Sequence, residues 1–235
     1  MKENNTKDNI YIAFYVINNM NHINNIKVIK LLEPEIKKGK SVLQTLKTRK
    51  TIREISDRKL SLQTLSDLLW AAFGTNRRNG PFNTPGRTAA TASNSQEIDI
   101  YVAIEEGIYL YDPYKYMLLP IVAGDYRRLS INVGQQDMVA STPIQLIYVV
   151  DIDKLIHTKG YKEPGLKDPE VQKSYYFVAT GIIASNVYLF AASRNLAAWF
   201  HNCDKIRLQK ILNLRKNQRV LFAQTVGYPK NSAEK

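Results

Sequence analysis

The chain has 235 residues, of which 44% are hydrophobic and 23% charged, and its 33 Lys and Arg outnumber its 21 Asp and Glu to give a net charge of +12. This composition excludes a disordered chain and suffices for one large folded domain with a core. The single cysteine excludes an intrachain disulfide and a cysteine-based metal site, and the excess positive charge predicts an anionic partner.

The first forty residues carry few structural signals and are predicted to form an extension (residues 1–40) ahead of a single domain at residues 41–235. Residues 10–17 are apolar and are followed by an Asn-rich run at 18–25. The preceding residues carry no net positive charge, and no small-residue cleavage site follows, which argues against a secretory signal peptide. We therefore expect a cytoplasmic protein.

Two helices are predicted next, at residues 41–47 and 61–73. In the second helix, apolar side chains recur at i, i+3, i+4 and i+7, Ser61 is the expected N-cap and Gly74 the expected left-handed C-cap. Residues 76–91 contain several glycines and prolines and are predicted to form a loop long enough to line a site.

The middle of the chain is rich in strand signals. Alternating and β-branched apolar runs predict strands at 98–104, 108–111, 117–121 and 144–150. The first two form a hairpin, and the last is typical of a strand buried on both faces. Residues 130–140 are predicted to be helical, and residues 151–173 to be a loop.

The last third of the chain alternates helix and strand. The predicted elements are a helix at 172–195, a strand at 196–200, a helix at 204–212 and a strand at 219–226. Residues 174–193 are uncharged over about the length of a membrane span, but polar residues such as Thr180 and Asn186 favour a fully buried central helix. Strands interleaved with helices predict an α+β or α/β chain, with helices covering a mixed sheet.

A short basic segment separates the first two predicted helices. Residues 48–54 read Thr-Arg-Lys-Thr-Ile-Arg-Glu, so Arg49, Lys50 and Arg53 can all reach one anion. Guanidinium groups bind phosphate oxygens in pairs, and ammonium groups act as point charges. Such a cluster is more often a solvated surface, and a phosphate site is the alternative.

A second segment, residues 87–96, reads Arg-Thr-Ala-Ala-Thr-Ala-Ser-Asn-Ser-Gln and directly precedes a predicted strand. Small residues let a ligand approach the backbone, while Asn94 and Gln96 offer donors and acceptors for the edge of a heterocycle. Taken alone, these two side chains are more often turn residues. The sequence has no glycine-rich phosphate loop, and its histidines lack zinc-site spacing, so no metal is expected.

The order of these segments resembles the nitroreductase family of FMN-dependent oxidoreductases over residues 41–230. The family's opening Arg-basic-Ser/Thr-x-basic pattern stands at residues 49–53, and its Pro-Ser-x-x-Asn-x-Gln pattern at residues 90–96, with Ala90 in place of Pro. Residues 226–229, Val-Gly-Tyr-Pro, are similar to its closing strand. The short chain and the hairpin after Gln96 most resemble the branch related to thiazoline and oxazoline dehydrogenases.

The resemblance implies an α+β fold with a mostly antiparallel central sheet flanked by helices around a long buried central helix. It also implies a homodimer with FMN at the interface. Hydride would pass between NADH or NADPH and an organic acceptor (a nitroaromatic, a quinone or a related heterocycle) by a ping-pong mechanism. Because the flavin ring carries the hydride, no catalytic side chain is expected.

Residue by residue, the resemblance implies that Arg49, Lys50 and Arg53 meet the phosphate, ribityl chain and pyrimidine edge of FMN. Thr51 would be a neutral partner, and Asn94 and Gln96 would lie near the ring edge. Residues 199–203, Trp-Phe-His-Asn-Cys, replace a stretch that often carries Gly near the flavin N5. The candidate cofactor-binding residues are Arg49, Lys50, Thr51, Arg53, Ser93, Asn94, Gln96, Trp199, His201, Asn202 and Lys230.

Two other functions fit parts of the sequence. A basic nucleic-acid-binding domain accounts for the charge of +12 and predicts binding that weakens steeply with salt. A flavin-binding protein without reductase turnover would be coloured yet would not oxidise NAD(P)H. His201 and Cys203 are expected to be buried residues rather than catalytic ones, and Trp199 either stacks on a flavin or fills the core. Neither a nucleic acid nor a membrane is the favoured partner.

Overall fold

The computed structural model describes residues 26–159 and 164–230, so the apolar stretch at 10–17 and the Asn-rich run at 18–25 lie outside the described residues. The strands of the described part are β1 Ile29–Lys30, β2 Thr75–Arg77, β3 Gly86–Arg87, β4 Ile98–Ile104, β5 Gly107–Asp112, β6 Met117–Ala123, β7 Ile144–Asp151, β8 Ala197–His201 and β9 Gln218–Gly227. The helices are α1 Val42–Thr48, α2 Leu62–Phe73, α3 Ile152–Ile156, α4 Pro169–Ser193 and α5 Lys205–Ile211.

Seven of these strands form one sheet in the order β1-β6-β5-β4-β7-β9-β8. Each pairs with its neighbour in antiparallel register, for example Ile100 with Tyr148 and Trp199 with Thr225. Strands β2 and β3 form a separate small hairpin. The predicted α+β fold with a mostly antiparallel sheet is therefore confirmed, and β8 lies at the edge of the large sheet.

Alternation along the strands divides the core between the two faces of the sheet. Ile98, Ile100 and Val102 of β4 pack in one cluster with residues of α2 and α4. Tyr101 and Ala103 point to the other face, where they pack in a cluster with Leu208 and Leu212 of the α5 region. The same alternation holds in β7, whose eight residues are all buried, as predicted for a strand covered on both faces.

The two helices predicted in the first third form with the expected caps. Ser41 and Gln44 make a capping box at the start of α1, and the Ser61 hydroxyl accepts a hydrogen bond from the Thr64 amide at the start of α2. Gly74 is not left-handed as predicted, since its φ is −73°. Glycine is needed there because a Cβ would lie 2.5 Å from Cδ1 of Trp70.

Three other element predictions are corrected. Residues 130–140 form no α-helix, and only short 3-10 turns at Arg127–Ser130 and Gln136–Met138 occur near them. Gly134, with φ +91°, interrupts the segment between its inward-facing residues Ile131 and Val139. The predicted loop at 151–173 contains α3 and the start of α4, and the predicted loop at 76–91 carries most of the β2–β3 hairpin.

Helix α4 is buried along one face rather than on all sides. Its buried residues are Tyr176, Ala179, Thr180, Ile183, Ala184, Val187 and Ala191. On the opposite face Val178 and Ile182 are 63% and 37% exposed, and at its border Phe177 packs on Phe222 of β9 and is 42% exposed. Among the described residues it is the one helix long and apolar enough to cross a membrane, yet it packs against the sheet in this structure.

Residues 26–40 pack against the domain that follows them. Strand β1 adds to the sheet edge beside β6, and Leu31 is buried in the main core. The Leu32 and Glu35 amides donate to the side chains of Ser66 and Asp67 on α2. This part of the predicted extension therefore shares the domain's core, and the predicted boundary at residue 41 stays a prediction.

Candidate functional site

The basic loop, residues 49–53, lies along the outer edge of β8. The Ile52 amide donates to the Ala198 carbonyl at 3.1 Å, which uses part of the hydrogen-bonding edge that no further strand covers. The end of the described chain lies on the loop's other side, because the Lys230 amide donates to the Glu54 carbonyl at 3.0 Å. The structure thus brings the basic residues near residue 50 and residue 230 together.

Tyr188 of α4 holds the basic loop to β8. Its hydroxyl lies 3.1 Å from the Thr51 hydroxyl and accepts a hydrogen bond from the Phe200 amide at 2.9 Å. The Arg49 guanidinium carbon lies 5.4 Å from the centre of the Tyr188 ring. Sequence reasoning missed this tyrosine because nothing in an apolar helix distinguishes it from a core residue.

Trp199 has the second of its two predicted roles, filling the core, while stacking on a flavin stays a prediction. It is 7% exposed and packs with Ile131 and Val139, so it fills a small cluster on one face of the sheet. The Arg53 guanidinium carbon lies 5.7 Å from the centre of the indole, which places a cation over an aromatic face. Trp199 therefore lies between the cluster with Ile131 and Val139 and the Arg53 side chain of the basic loop.

No carboxylate of the described residues forms an ion pair with the positive charges of this region. Arg49, Lys50, Arg53 and Lys230 are exposed, and within residues 26–159 and 164–230 none of them forms an ion pair. Four like charges on adjacent segments repel one another, and an anion bound among them removes that repulsion. The arrangement is therefore suited to a phosphate.

His201 and Asn202 continue β8 away from the basic loop. His201 is 9% exposed, its Nε2 lies 2.8 Å from the Thr225 hydroxyl, and its Nδ1 lies 3.0 Å from the Asn202 carbonyl oxygen. Burial lowers the pKa of His201 to about 4, and burial raises the pKa of Cys203 to about 12. His201 and Cys203 are buried, as expected. Of residues 201–203, only Asn202 is exposed and could contact a ligand.

The buried imidazole predicts a specific loss of stability in acid. Because the pKa of His201 is lower in the folded chain than the ordinary 6.5, the unfolded chain takes up the proton first as pH falls. The neutral imidazole contributes fully to the free energy of unfolding above about pH 6.5. About 3 kcal/mol of that free energy is lost as the pH falls to about 4. Urea unfolding of the wild type and His201→Gln at pH 7.5 and 4.5 measures this. A pH dependence equally steep in both proteins would contradict it.

Ser93, Asn94 and Gln96 lie at the other end of the sheet. Strand β4 starts just after them, and its first residue pairs through β7 with Arg219 near the start of β9. The basic loop lies near the opposite end of β9, where Gly227 pairs with Ala197. The ten residues of β9 span ~30 Å. One chain therefore does not bring the predicted cations and amides to a single ligand.

The Asn94 loop, residues 91–96, has an unusual backbone. Ser93, Asn94 and Gln96 have φ of 48°, 54° and 53°, in the left-handed region that costs non-glycine residues about 1–3 kcal/mol. The Gln96 side chain accepts from Arg87 Nε at 2.7 Å and from the Tyr114 hydroxyl at 2.6 Å. The predicted contact between Gln96 and the flavin stays a prediction. Such a contact would require Gln96 to break one of these two hydrogen bonds.

Comparison with known proteins gives a consistent result. The family model described as the nitroreductase family matches residues 46–228. A relative from Methanocaldococcus jannaschii, named Putative nitroreductase MJ1384, is 28% identical over 155 residues, which are 63% of this chain and 71% of that protein. A crystal structure from Ralstonia eutropha JMP134, also named a putative nitroreductase, has a TM-score of 0.75 and 31% identity over 88% of this chain and 92% of that one.

A more distant structure has the same fold. The NADPH:FMN oxidoreductase of Vibrio harveyi, solved in complex with NAD+, has a TM-score of 0.55 and 17% identity. The match covers 81% of this chain and 69% of that one. At this identity the likeness extends to the fold alone.

Proposed function

The chain belongs to the nitroreductase family of flavin-dependent oxidoreductases, and from that premise we propose that it binds FMN beside β8 and transfers hydride between NADH or NADPH and an organic acceptor. The observation that carries the proposal is the group of four cations, unpaired within the described residues, at the open edge of a strand. When bound, FMN supplies the ring that accepts and donates the hydride.

The residues present fit this cofactor. Arg49 and Lys230 would bind the phosphate, with the Thr51 hydroxyl beside it held by Tyr188. Lys50 or Arg53 would balance the negative charge that the cofactor gains on reduction. Asn202 lies where β8 ends, so it would lie towards the ring. No side chain near β8 needs to act as an acid or base, consistent with the neutral buried His201.

An FMN site that uses both the basic loop and the Asn94 loop requires two copies of the chain. The two loops lie at opposite ends of the strands, and a single mononucleotide is shorter than β9. A second copy with antiparallel orientation can place its Asn94 loop beside the basic loop of the first, and symmetry then creates two equal sites. This supports a homodimer with FMN at the interface.

The exposed apolar surface of α1 and α4 supports the same assembly. On α1, Val42, Leu43 and Leu46 are 70%, 79% and 54% exposed. Helix α1 packs against α4, whose exposed Phe177, Val178 and Ile182 were described above. A groove of about 320 Å³ between α1, α2 and α4 would receive side chains of a second copy. Apolar surfaces of this extent mark interaction sites.

A finer assignment is supported by the position of one hairpin. The β4–β5 hairpin follows the Asn94 loop directly, with no inserted domain. We therefore propose that the protein belongs to the branch related to thiazoline and oxazoline dehydrogenases. Its acceptor is a nitroaromatic, quinone or related heterocycle, reduced in a ping-pong cycle after the nicotinamide has left.

A visible spectrum followed by turnover assays tests the proposal. The purified dimer is expected to show flavin absorption, to release FMN on denaturation, and to oxidise NADH or NADPH anaerobically when a quinone or nitroaromatic is supplied. A colourless protein that takes up no added FMN would contradict cofactor binding, and salt-sensitive binding of nucleic acid by that protein would support the rival function. A yellow protein without turnover would support the other alternative, a flavin-binding protein that is not a reductase.

A further inference from the structure

The Asn94 loop is held by a buried arginine that has no carboxylate partner in the described part of the chain. Arg87 is 8% exposed, and its Nε and Nη1 donate to Gln96 Oε1 at 2.7 Å and to the Phe73 carbonyl at 3.1 Å. Its guanidinium lies between the rings of Phe73 and Tyr114, at 5.0 and 4.4 Å. Because a guanidinium only donates, the oxygen of Gln96 must face Arg87.

The orientation of Gln96 in turn fixes the amide of Asn94. With its oxygen on Arg87, Gln96 Nε2 points to the Pro85 carbonyl at 2.6 Å and to Asn94 Oδ1 at 3.0 Å. The Asn94 Nδ2 then donates to the carbonyls of Thr84 and Pro85, both at 3.3 Å. Gln96 accepts two bonds and donates two, so it has no capacity left for a ligand.

The groups left over at the tip of the loop are those that can meet a partner. Within the described residues the Ser93 hydroxyl has no hydrogen-bond partner, and Asn94 Oδ1 accepts only from Gln96. Both residues are half-buried and have left-handed φ, which an unconstrained loop does not maintain. The network from Arg87 through Gln96 therefore holds a strained tip ready to bind.

We propose that Gln96 is a positioning residue: held by Arg87, it fixes the Asn94 loop so that Ser93 and Asn94 of one copy complete the flavin site of the other. This inference rests on the proposed FMN site and dimer. It assigns Gln96 and Arg87 an indirect role, in place of direct contact with the cofactor. The network therefore raises the affinity for FMN by fixing the conformation of the loop, in addition to the contribution of the basic loop.

Gln96→Glu isolates the donor side of this network. Glutamate still accepts hydrogen bonds from Arg87 and Tyr114. It places an oxygen where Gln96 Nε2 donated to the Pro85 carbonyl and Asn94 Oδ1, so both of those hydrogen bonds are lost. The dissociation constant for FMN, measured by flavin fluorescence, is expected to rise at least tenfold while sedimentation still shows a dimer. Tyr114→Phe removes one acceptor contact and keeps both donors, and its FMN affinity is expected to stay within threefold of the wild type.

Arg87→Lys provides a second test that keeps the buried charge. A lysine reaches either Gln96 or the Phe73 carbonyl but not both, so the FMN dissociation constant is expected to rise severalfold. Arg78→Ala, an exposed arginine of the same β2–β3 region, is the matched control with no effect. If FMN affinity in these variants follows only their melting temperatures, or if Gln96→Glu binds FMN as the wild type does, the positioning role is overturned.

Mixing variants separates this inference from the proposed function. A dimer of one Gln96→Glu chain and one Arg49→Ala/Arg53→Ala chain has one site with both loops intact and one with neither. Refolding the two together at equal amounts should restore about one site in four, since half of the dimers are mixed. No restoration would overturn the two-copy site. A wild-type protein that binds no FMN would instead overturn the proposed function itself.

Discussion

The double substitution Arg49→Ala/Arg53→Ala is expected to weaken FMN binding by roughly a hundredfold to ten-thousandfold. Each guanidinium would make charge-assisted hydrogen bonds to an anionic cofactor, which contribute about 1.5–3 kcal/mol each. Two such losses sum to about 3–6 kcal/mol, and each 1.4 kcal/mol is about a tenfold change in affinity. Because both side chains are exposed and form no ion pair within the described residues, the fold should tolerate their loss. Fluorescence titration with FMN measures the effect.

Two comparisons make this measurement specific. Lys210→Ala/Lys216→Ala removes the same charge from exposed positions on and after α5, and it should leave FMN affinity unchanged. Arg49→Lys/Arg53→Lys keeps the charge but loses the paired geometry of the guanidinium, and it should give an intermediate affinity. If both alanine pairs weaken FMN binding equally, the net charge of the protein attracts FMN and the basic loop is not its site.

The fold was largely predictable because its strands are defined locally. Residues 98–104 have β-branched apolar residues at every second position, and residues 144–150 are mostly β-branched or aromatic. Both became strands with nearly the predicted bounds. Residues 130–140 were predicted wrongly because Ile131 and Val139 are placed by contact with Trp199, which lies about sixty residues away in sequence. A local pattern contains no information on such a contact.

The candidate site was predictable only in its parts. The basic loop and Lys230 were both identified from the sequence, and their proximity follows from the Glu54–Lys230 backbone hydrogen bond. That the Asn94 loop lies at the opposite end of the sheet depends on strand order, which the motifs do not encode. Tyr188 and the Arg87–Gln96 contact were not found, because a tertiary hydrogen bond leaves no periodic signal in either partner's sequence.

Helix α4 shows the same limit for the quaternary structure. Its uncharged stretch with polar residues in the middle predicted a fully buried helix, but the sequence does not tell whether the covering partner is the same chain, a second copy or a lipid. In this structure one face packs on the sheet and Val178, on the other, is 63% exposed. The cost of leaving such a face in water favours association.

The substitution Val178→Asp is therefore expected to dissociate the dimer and release FMN in one step. A carboxylate placed in a dry interface without a cationic partner costs about 3–5 kcal/mol, which raises the dimer dissociation constant at least a hundredfold. In the free chain Val178 is exposed, so the monomer should stay folded. Sedimentation velocity over a range of concentrations, read at the protein and flavin absorption bands, measures both losses together.

Ile206→Asp is the matched control, because Ile206 is 73% exposed on α5, a helix whose Leu208 packs on the face of the sheet opposite the α4 cluster. It introduces the same charge at an apolar surface position, and both the dimer and its FMN should be unaffected. FMN retained by a monomeric Val178→Asp chain would place the whole cofactor site within one chain. In that case the Asn94 loop would have no part in binding, although the basic loop would still be the FMN site.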